Sequence, residues 1–163
     1  MKGIMFNDRY FLENLVLKKY KTQTRRFKKS YDVGEQVAIK QSYLTLHMFP
    51  LQKIDGKHVE DLPGWRNKMF VKNELMMRAI HITNVREEKL QDITHEDCLQ
   101  EGIRVDYDGE EHTYWYDDKC YGIRRFKTPQ EAFASLIDRI NGKGTWESNP
   151  IVYVYNFELK YLQ

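Results

Sequence analysis

The strongest constraint on the fold is an alternating stretch near the end of the sequence, from Ile151 to Leu159. One face carries only large apolar and aromatic side chains, and the other begins with Val152 and Val154 before it becomes polar. A two-residue period with both faces apolar predicts a β-strand in the middle of a sheet. The chain is therefore expected to place strands on both sides of this one.

The remaining predicted elements are short and follow no regular strand–helix–strand rhythm. Strands are predicted at about 3–6, 36–43 and 76–85, and helices at about 8–19, 95–101 and 129–141. Thr94 and Thr128 stand where helix caps are expected, and Asp108-Gly109 is typical of a two-residue hairpin turn. The residues from 44 to 74 show no period and predict a long irregular region. This pattern favours an α+β fold built as a small mixed β-barrel with flanking helices.

Length and composition limit the classes of protein to which the chain can belong. A chain of 163 residues, 41% of them hydrophobic, predicts one domain with a packed core. Cys98 and Cys120 stand in unrelated contexts, which argues against a zinc site or a disulfide framework and predicts a reducing, cytoplasmic location. No apolar run of about 18 residues is present and no signal core precedes the first strand, so no membrane association is expected. No cofactor is predicted.

The segment from Lys21 to Arg26 combines three cations and two hydroxyls within six residues. Residues 1–30 hold nine Lys and Arg against two acids, whereas residues 86–118 hold twelve acids against three bases. Because its side chains are charged or strong donors, the segment is not expected to bury itself. It is either a solvated basic loop or a site that holds an anion. The uneven charge either marks a side of the protein that faces nucleic acid, or the two charged regions attract one another across the fold.

Four motifs, in this order, resemble the ASCH domain in the longer version common in phage and prophage proteins. They are Lys21–Arg26; Val33-Gly34-Glu35; Leu90–Thr94 with Glu96-Asp97 and Glu101-Gly102; and Asn141–Trp146 with Asn149-Pro150 and the strand Val152–Phe157. The resemblance covers most of a single domain spanning 1–163, apart from probable insertions at about 44–64 and 104–126. It implies a PUA-like β-barrel, open on one side, with a helix beside a cleft that binds RNA or modified nucleobases.

The resemblance also implies a set of site residues. Small ASCH proteins that hydrolyse the amide of N4-acetylcytidine use a Lys, a Thr and a Glu, which correspond here to Lys21, Thr24 and Glu101. A lysine becomes a base when burial or neighbouring cations lower its pKa. Lys21 would then activate the Thr24 hydroxyl, and Glu101 would protonate the leaving amine or hold Lys21. Gln41 stands where many relatives carry Glu.

Three functions follow from these observations. The first is an RNA- or nucleotide-binding module whose basic cleft and stacking rings are Lys21, Thr22, Arg25, Arg26, Tyr43, Trp65 and Trp146. The second is an amidohydrolase that acts on acylated pyrimidine nucleosides, and the third is an accessory protein that binds a host protein through the acidic, aromatic 104–126 region. Each residue also has a structural interpretation: the cations in ion pairs, Thr24 in a turn, and the aromatic rings in packing. The sequence leaves the oligomeric state open.

Overall fold

The computed structural model describes residues 1–162 and shows an α+β fold, as predicted. The chain divides into two compact units. Unit 1 contains Met1–Phe6, Gln36–His81 and the residues from Lys160 onward, and unit 2 contains Asn7–Glu35 and Ile82–Leu159. No helix in the described residues is long and apolar enough to cross a membrane. That the chain forms one domain with insertions at 44–64 and 104–126 stays a prediction.

The elements have the following bounds in chain order. They are β1 (Gly3–Ile4), α1 (Leu12–Leu17), β2 (Gln23–Arg26), β3 (Gln36–Ile39), β4 (Lys53–Ile54), β5 (Lys57–His58), β6 (Arg78–Lys89), α2 (His95–Gln100), β7 (Arg104–Tyr107), β8 (His112–Asp118), β9 (Gly122–Phe126), α3 (Pro129–Asn141), α4 (Thr145–Ser148) and β10 (Ile151–Tyr161). Short 3-10 turns lie at Val59–Asp61, Pro63–Trp65, Lys68–Phe70, Asn73–Leu75 and Leu90–Asp92.

Unit 1 is built on three paired strands. β1 pairs in parallel with β3, which places Gly3 opposite Ala38, and β3 pairs antiparallel with β6, which places Val37 opposite Ile80. The irregular region predicted after residue 44 contains four 3-10 turns and the small β4–β5 hairpin. A buried cluster holds this region together: Ala38, Tyr43, Val59, Val71 and Met76.

The β4–β5 hairpin turns through Asp55 and Gly56, whose φ angles are 50° and 79°. Two consecutive positive φ values are what a two-residue type I′ turn requires. Asp108-Gly109, which predicts the same kind of turn, lies instead in a connection four residues long. There the Asp108 side chain accepts hydrogen bonds from the backbone N–H groups of Glu110 and Glu111 at 2.9 and 2.8 Å, which widens the loop.

In unit 2, β10 is an inner strand, as its alternation predicted. It pairs antiparallel with β2, with Tyr153 opposite Arg26 and Asn156 opposite Gln23, and it has β6 on its other side. The predicted closure into a mixed barrel is wrong for residues 1–162, because the strands of neither unit close on themselves. β1 and β2 are only two and four residues long, and each pairs on one side only.

A second sheet of unit 2 is formed by β7, β8 and β9 in antiparallel order. These strands span 104–126, the region predicted to be an inserted hairpin or extended loop. Asp118, at the end of β8, is held by Arg9, whose Nε donates to Asp118 Oδ1 at 3.0 Å. The Asp118 side chain is fully buried in this ion pair. The pair therefore ties the second sheet to the segment that precedes α1.

The helix boundaries depend on caps. The Thr94 hydroxyl accepts from the Asp97 N–H at 3.1 Å and the Thr128 hydroxyl from the Glu131 N–H at 3.2 Å, so both predicted caps are confirmed. α1 is shorter than the predicted helix over 8–19. Phe11 and Lys19 have φ angles of 57° and 63°, and residues in this left-handed conformation cannot continue a helix.

Candidate functional site

The basic segment is not the solvated loop that its composition predicted. Its last four residues form β2, and Lys21 and Arg25 expose only 2% and 7% of their surface. Gln23 and Thr24 are buried as well. The expectation that this segment does not bury itself is wrong, because carboxylates from distant parts of unit 2 neutralise its charge.

The Lys21 ammonium is completely engaged inside the protein. Its Nζ donates to Glu101 Oε2 at 2.5 Å, to the Glu101 backbone oxygen at 2.7 Å and to the Gln23 backbone oxygen at 2.8 Å. An ammonium group has three N–H donors, and all three are used here. In this arrangement Lys21 has no donor left for an external anion.

Arg25 shares Glu101 with Lys21 and reaches two further carboxylates. Its Nη1 lies 3.1 Å from Glu101 Oε1 and 2.5 Å from Gln23 Oε1. Its Nη2 lies 2.5 Å from Glu88 Oε1 and 3.2 Å from Asp97 Oδ2. Arg25 is therefore a buried cation that forms ion pairs with three carboxylates.

Arg86 carries these contacts outward to solvent. It donates to Asp97 Oδ2 at 2.9 Å, to Glu88 Oε2 at 3.2 Å and to Asn156 Oδ1 at 3.1 Å. Its side chain is 34% exposed, whereas Glu88 and Asp97 are 17% and 15% exposed. The ion-pair network consists of Lys21, Arg25, Arg86, Glu88, Asp97 and Glu101. Its three positive and three negative charges balance.

Two regular elements present the carboxylates to β2. Asp97 and Glu101 are four residues apart across the end of α2, a spacing that places both on one face of a helix. Glu88 and Arg86 are two residues apart on β6, so they share one face of that strand. Gly102 follows with a φ of 113°, a conformation that glycine adopts without steric cost.

The network shifts the pKa values of its members in different directions. Burial lowers the pKa of the Lys21 amine below 10.5, although the charge of Glu101 opposes the shift. Burial alone would raise the pKa of Asp97, but the hydrogen bond from Gln23 and the charges of Arg25 and Arg86 hold it below 3.8. Burial therefore favours the neutral form of Lys21, while the neighbouring cations and Gln23 keep Asp97 ionised.

Thr24 lies apart from the two residues with which the resemblance groups it. Gln23 and Arg25 share one face of β2, so Thr24 and Arg26 project from the other. Thr24 stands opposite Tyr155 in the β2–β10 ladder. Across residues 1–162, no hydrogen bond joins its hydroxyl to Lys21 or Glu101. The structure thus brings Lys21 and Glu101 together without Thr24.

The other predicted binding residues of unit 2 are partly accessible. Thr22 is half-buried; its N–H donates to the Gln100 backbone oxygen at 2.9 Å, and its carbonyl accepts from the Phe157 N–H at 3.0 Å. Arg26 is half-buried at the end of β2. Trp146 lies on α4 with its ring edge-on to Phe133, 6.3 Å between centroids, which is a packing role.

The two remaining predicted aromatic residues belong to unit 1. Tyr43 is part of the buried cluster of that unit, and Trp65 packs against the same cluster while remaining half-buried. Stacking of a base by Trp65 would therefore compete with its packing.

Sequence reasoning missed the residues that complete the network and those that remain accessible beside it. Arg86, Glu88 and Asp97 were not predicted as site residues, because residues 86–89 are all charged and show no alternation that would extend the predicted strand beyond Val85. Phe27 was also missed: it is 42% exposed and stands between Arg26 on one side and Lys28-Lys29 on the other. We call residues Arg26–Lys29 the basic–aromatic patch.

Comparison with known proteins adds one structural similarity. No protein-family model matches the chain, and no curated protein matches it. Among solved structures, the chain is similar to an ASCH domain from Lactobacillus crispatus JV V101, known from a high-resolution crystal structure. The two share 14% identity over 96% of this chain and 77% of that chain, with a TM-score of 0.46. Similarity at this level does not establish membership of a family or a shared activity.

Proposed function

We propose that the chain binds RNA or a nucleotide through the basic–aromatic patch. The observation that carries the proposal is the exposed Phe27 ring, which is flanked in the sequence by Arg26, Lys28 and Lys29. Lys28 and Lys29 are exposed, and the ion pair of Lys29 with Asp32 is a surface pair, whereas Lys21 and Arg25 are neutralised inside the protein. Exposed aromatic rings stack bases of single-stranded nucleic acid, and neighbouring cations contact the phosphates. The motifs that resemble the ASCH domain support the same class of ligand.

The strand beside the patch adds a second ring. Tyr153 is half-buried and pairs with Arg26 across the β2–β10 ladder, so the two side chains project from the same face. On the opposite face of β2, the ion-pair network fixes the strand. In this proposal Lys21 and Arg25 position the strand, and Arg26, Phe27, Lys28 and Lys29 contact the ligand.

A titration with a short single-stranded RNA, followed by fluorescence anisotropy at several salt concentrations, tests this proposal. Phe27→Ala is expected to weaken binding by about 1–3 kcal/mol, the usual contribution of one stacked base. Replacing Lys28 and Lys29 together by Gln is expected to reduce the slope of log K against log salt by about 1.4, because two phosphate contacts are lost.

Two matched substitutions serve as controls. Phe49→Ala removes another exposed phenylalanine, 78% accessible, and Lys143→Gln removes an exposed lysine after α3. Both are expected to leave affinity and salt slope unchanged. If the Phe27 variant and the double lysine variant bind RNA as the original chain does, the patch is not the binding site.

One observation favours a second candidate function, the hydrolysis of an acylated pyrimidine nucleoside. Lys21 is buried, its pKa is lowered mainly by that burial, and it touches Glu101, which is the pairing that the resemblance implies for catalysis. In that mechanism the Lys21 proton first passes to Glu101, and the neutral Lys21 takes the Thr24 proton as the Thr24 oxygen attacks the amide carbonyl. Glu101 then protonates the departing amine, and water hydrolyses the acyl-Thr24 ester to release the acid and restore the hydroxyl. Thr24 would have to leave its face of β2 to reach Lys21, which is why binding is the first proposal.

Deacetylation of N4-acetylcytidine separates the two functions. The hydrolase proposal expects turnover that Thr24→Ala and Lys21→Ala each abolish. Turnover that survives Thr24→Ala contradicts the mechanism, and no product at high protein concentration rejects hydrolysis of this substrate. RNA binding through Phe27 is measured independently of either result.

A further inference from the structure

Unit 1 contains a pocket that plays no part in the proposed function. Its volume is about 350 Å³, at the lower end of the range usual for small-molecule sites. The stretch from Tyr43 to Lys72 supplies the whole lining, so the pocket is formed within this one unit. A pocket of this size accommodates a single small molecule and not a folded partner.

Two lysines line this pocket without partners of their own. Among the residues that the structure describes, the side chain of neither Lys57 nor Lys72 forms an ion pair or a hydrogen bond. Other lysines of unit 1 are used internally: Lys68 Nζ donates to the Phe6 backbone oxygen at 2.7 Å, and Lys40 donates to the Val71 carbonyl. Asp55 also lines the pocket, so two positive charges face one negative charge there. The balance favours an anionic ligand.

The pocket lining includes two aromatic residues, Tyr43 and Phe70. Tyr43 is 95% buried, and its hydroxyl has no hydrogen-bond partner anywhere in residues 1–162. Its ring packs directly on Gly64, where an added Cβ would lie 2.5 Å from Tyr43 Cε2. Phe70 is 59% exposed at the same pocket. The hydroxyl is not one of the fully buried polar atoms that lack a partner in residues 1–162, so it is open to solvent and available to a molecule in the pocket.

From these features we propose that the pocket binds a planar ring that carries a phosphate monoester, a ligand of the size and chemistry of a nucleoside monophosphate. The phosphate carries a charge of about −1.5 to −2 near neutral pH and pairs with Lys57 and Lys72. The ring lies against Phe70, and a polar atom of the ligand forms a hydrogen bond with the Tyr43 hydroxyl. This site goes beyond the proposed function, because it uses none of the residues of the basic–aromatic patch.

The test is a titration of the full chain with uridine 5′-monophosphate, uridine and inorganic phosphate, followed by amide chemical shifts and calorimetry. The monophosphate is expected to bind tighter than either of its parts and to shift amides within 43–72. Replacing both Lys57 and Lys72 by Gln is expected to weaken binding about tenfold or more. Tyr43→Phe is expected to weaken it roughly three- to tenfold, and it leaves the melting temperature unchanged because that hydroxyl bonds nothing in the protein.

Lys53→Gln is the matched control, since Lys53 is an exposed lysine of the same hairpin that does not line the pocket. It is expected to bind the monophosphate as the original chain does. The proposal is overturned if no probe binds, if inorganic phosphate binds as tightly as the monophosphate, or if the double lysine variant keeps full affinity. Shifts confined to residues 26–29 overturn it as well, and they would instead support the patch.

Discussion

Lys21 Nζ lies 2.5 Å from Glu101 Oε2, and the two side chains are 2% and 6% exposed. The contact joins the segment just before β2 to the C-cap residue of α2 across 80 residues of sequence. Taking two charges out of water is costly, and their attraction compensates only when the remaining donors are satisfied. Here two backbone carbonyls complete the ammonium shell, and Arg25 takes the second carboxylate oxygen. Such a pair is most sensitive to the loss of one member.

Glu101→Gln is therefore expected to lower the free energy of unfolding by about 3–5 kcal/mol, because Lys21 keeps its buried charge without a carboxylate. Urea denaturation measures the change. The matched control is Glu110→Gln, which alters an exposed acid in the β7–β8 loop and is expected to have an effect near zero. Adding Lys21→Met to the Glu101 variant should recover part of the loss. If the two substitutions are simply additive, the pair is not coupled as the distances indicate.

Asp97 predicts how stability responds to acid. Its folded pKa lies below 3.8, so the carboxylate stabilises the protein above that pH, and the contribution disappears as the pH falls through the lower folded value. At about pH 7, Asp97→Asn is expected to cost roughly 1–3 kcal/mol. The difference in unfolding free energy between the two proteins should shrink below pH 3.8. Glu96→Gln, in the same first turn of α2, controls for the helix dipole and should show a much smaller difference.

The parts of the fold that could be predicted from the sequence are those that depend on neighbouring residues. Thr94 and Thr128 cap helices through contacts three residues away, and the alternation around Tyr153 and Tyr155 marks an inner strand by itself. The shortening of α1 was not predictable, because a left-handed Phe11 has no signature in composition. The prediction of a closed barrel was wrong for a related reason. Closure requires the outer strands β1 and β2 to pair on both sides, and this depends on contacts between residues far apart in sequence.

For the candidate site as well, the features that depend on residues far apart in sequence were the ones not predicted. Lys21 and Glu101 were grouped through the family resemblance, and the structure brings them into contact. The burial of Arg25 was not foreseen, because the carboxylates that compensate it are 63 to 76 residues away in sequence. A window of six residues shows only the uncompensated cations. The charge contrast between residues 1–30 and 86–118 was the available signal. The ion pairs show that these two regions attract one another within the fold.

The cysteines are expected to differ sharply in reactivity. Cys98 is fully buried, and burial raises the pKa of its thiol to about 12, whereas Cys120 is exposed. Since the thiolate is the reactive form, a disulfide exchange reagent at about pH 8 should titrate one thiol in the native protein and two in urea. Cys120→Ser should abolish the native reaction, while Cys98→Ser should leave it intact. Two thiols reacting at equal rates in the native protein would contradict the buried position of Cys98.

The lowered pKa of Lys21 predicts a rise in stability on the alkaline side. Its folded pKa is below 10.5, so between the two values the unfolded chain binds more protons than the folded protein, and the free energy of unfolding increases with pH. Below the folded pKa, the cost of keeping the buried ammonium charged is present in full.

Because other lysines and tyrosines titrate in the same range, the quantity to measure is the difference in unfolding free energy between the original chain and Lys21→Met. That difference should move in favour of the original chain as the pH rises from about 7 toward 10.5, whereas the difference for Lys143→Gln should stay flat. A flat difference for Lys21→Met as well would mean that Glu101 and the two carbonyls fully offset the burial of the ammonium.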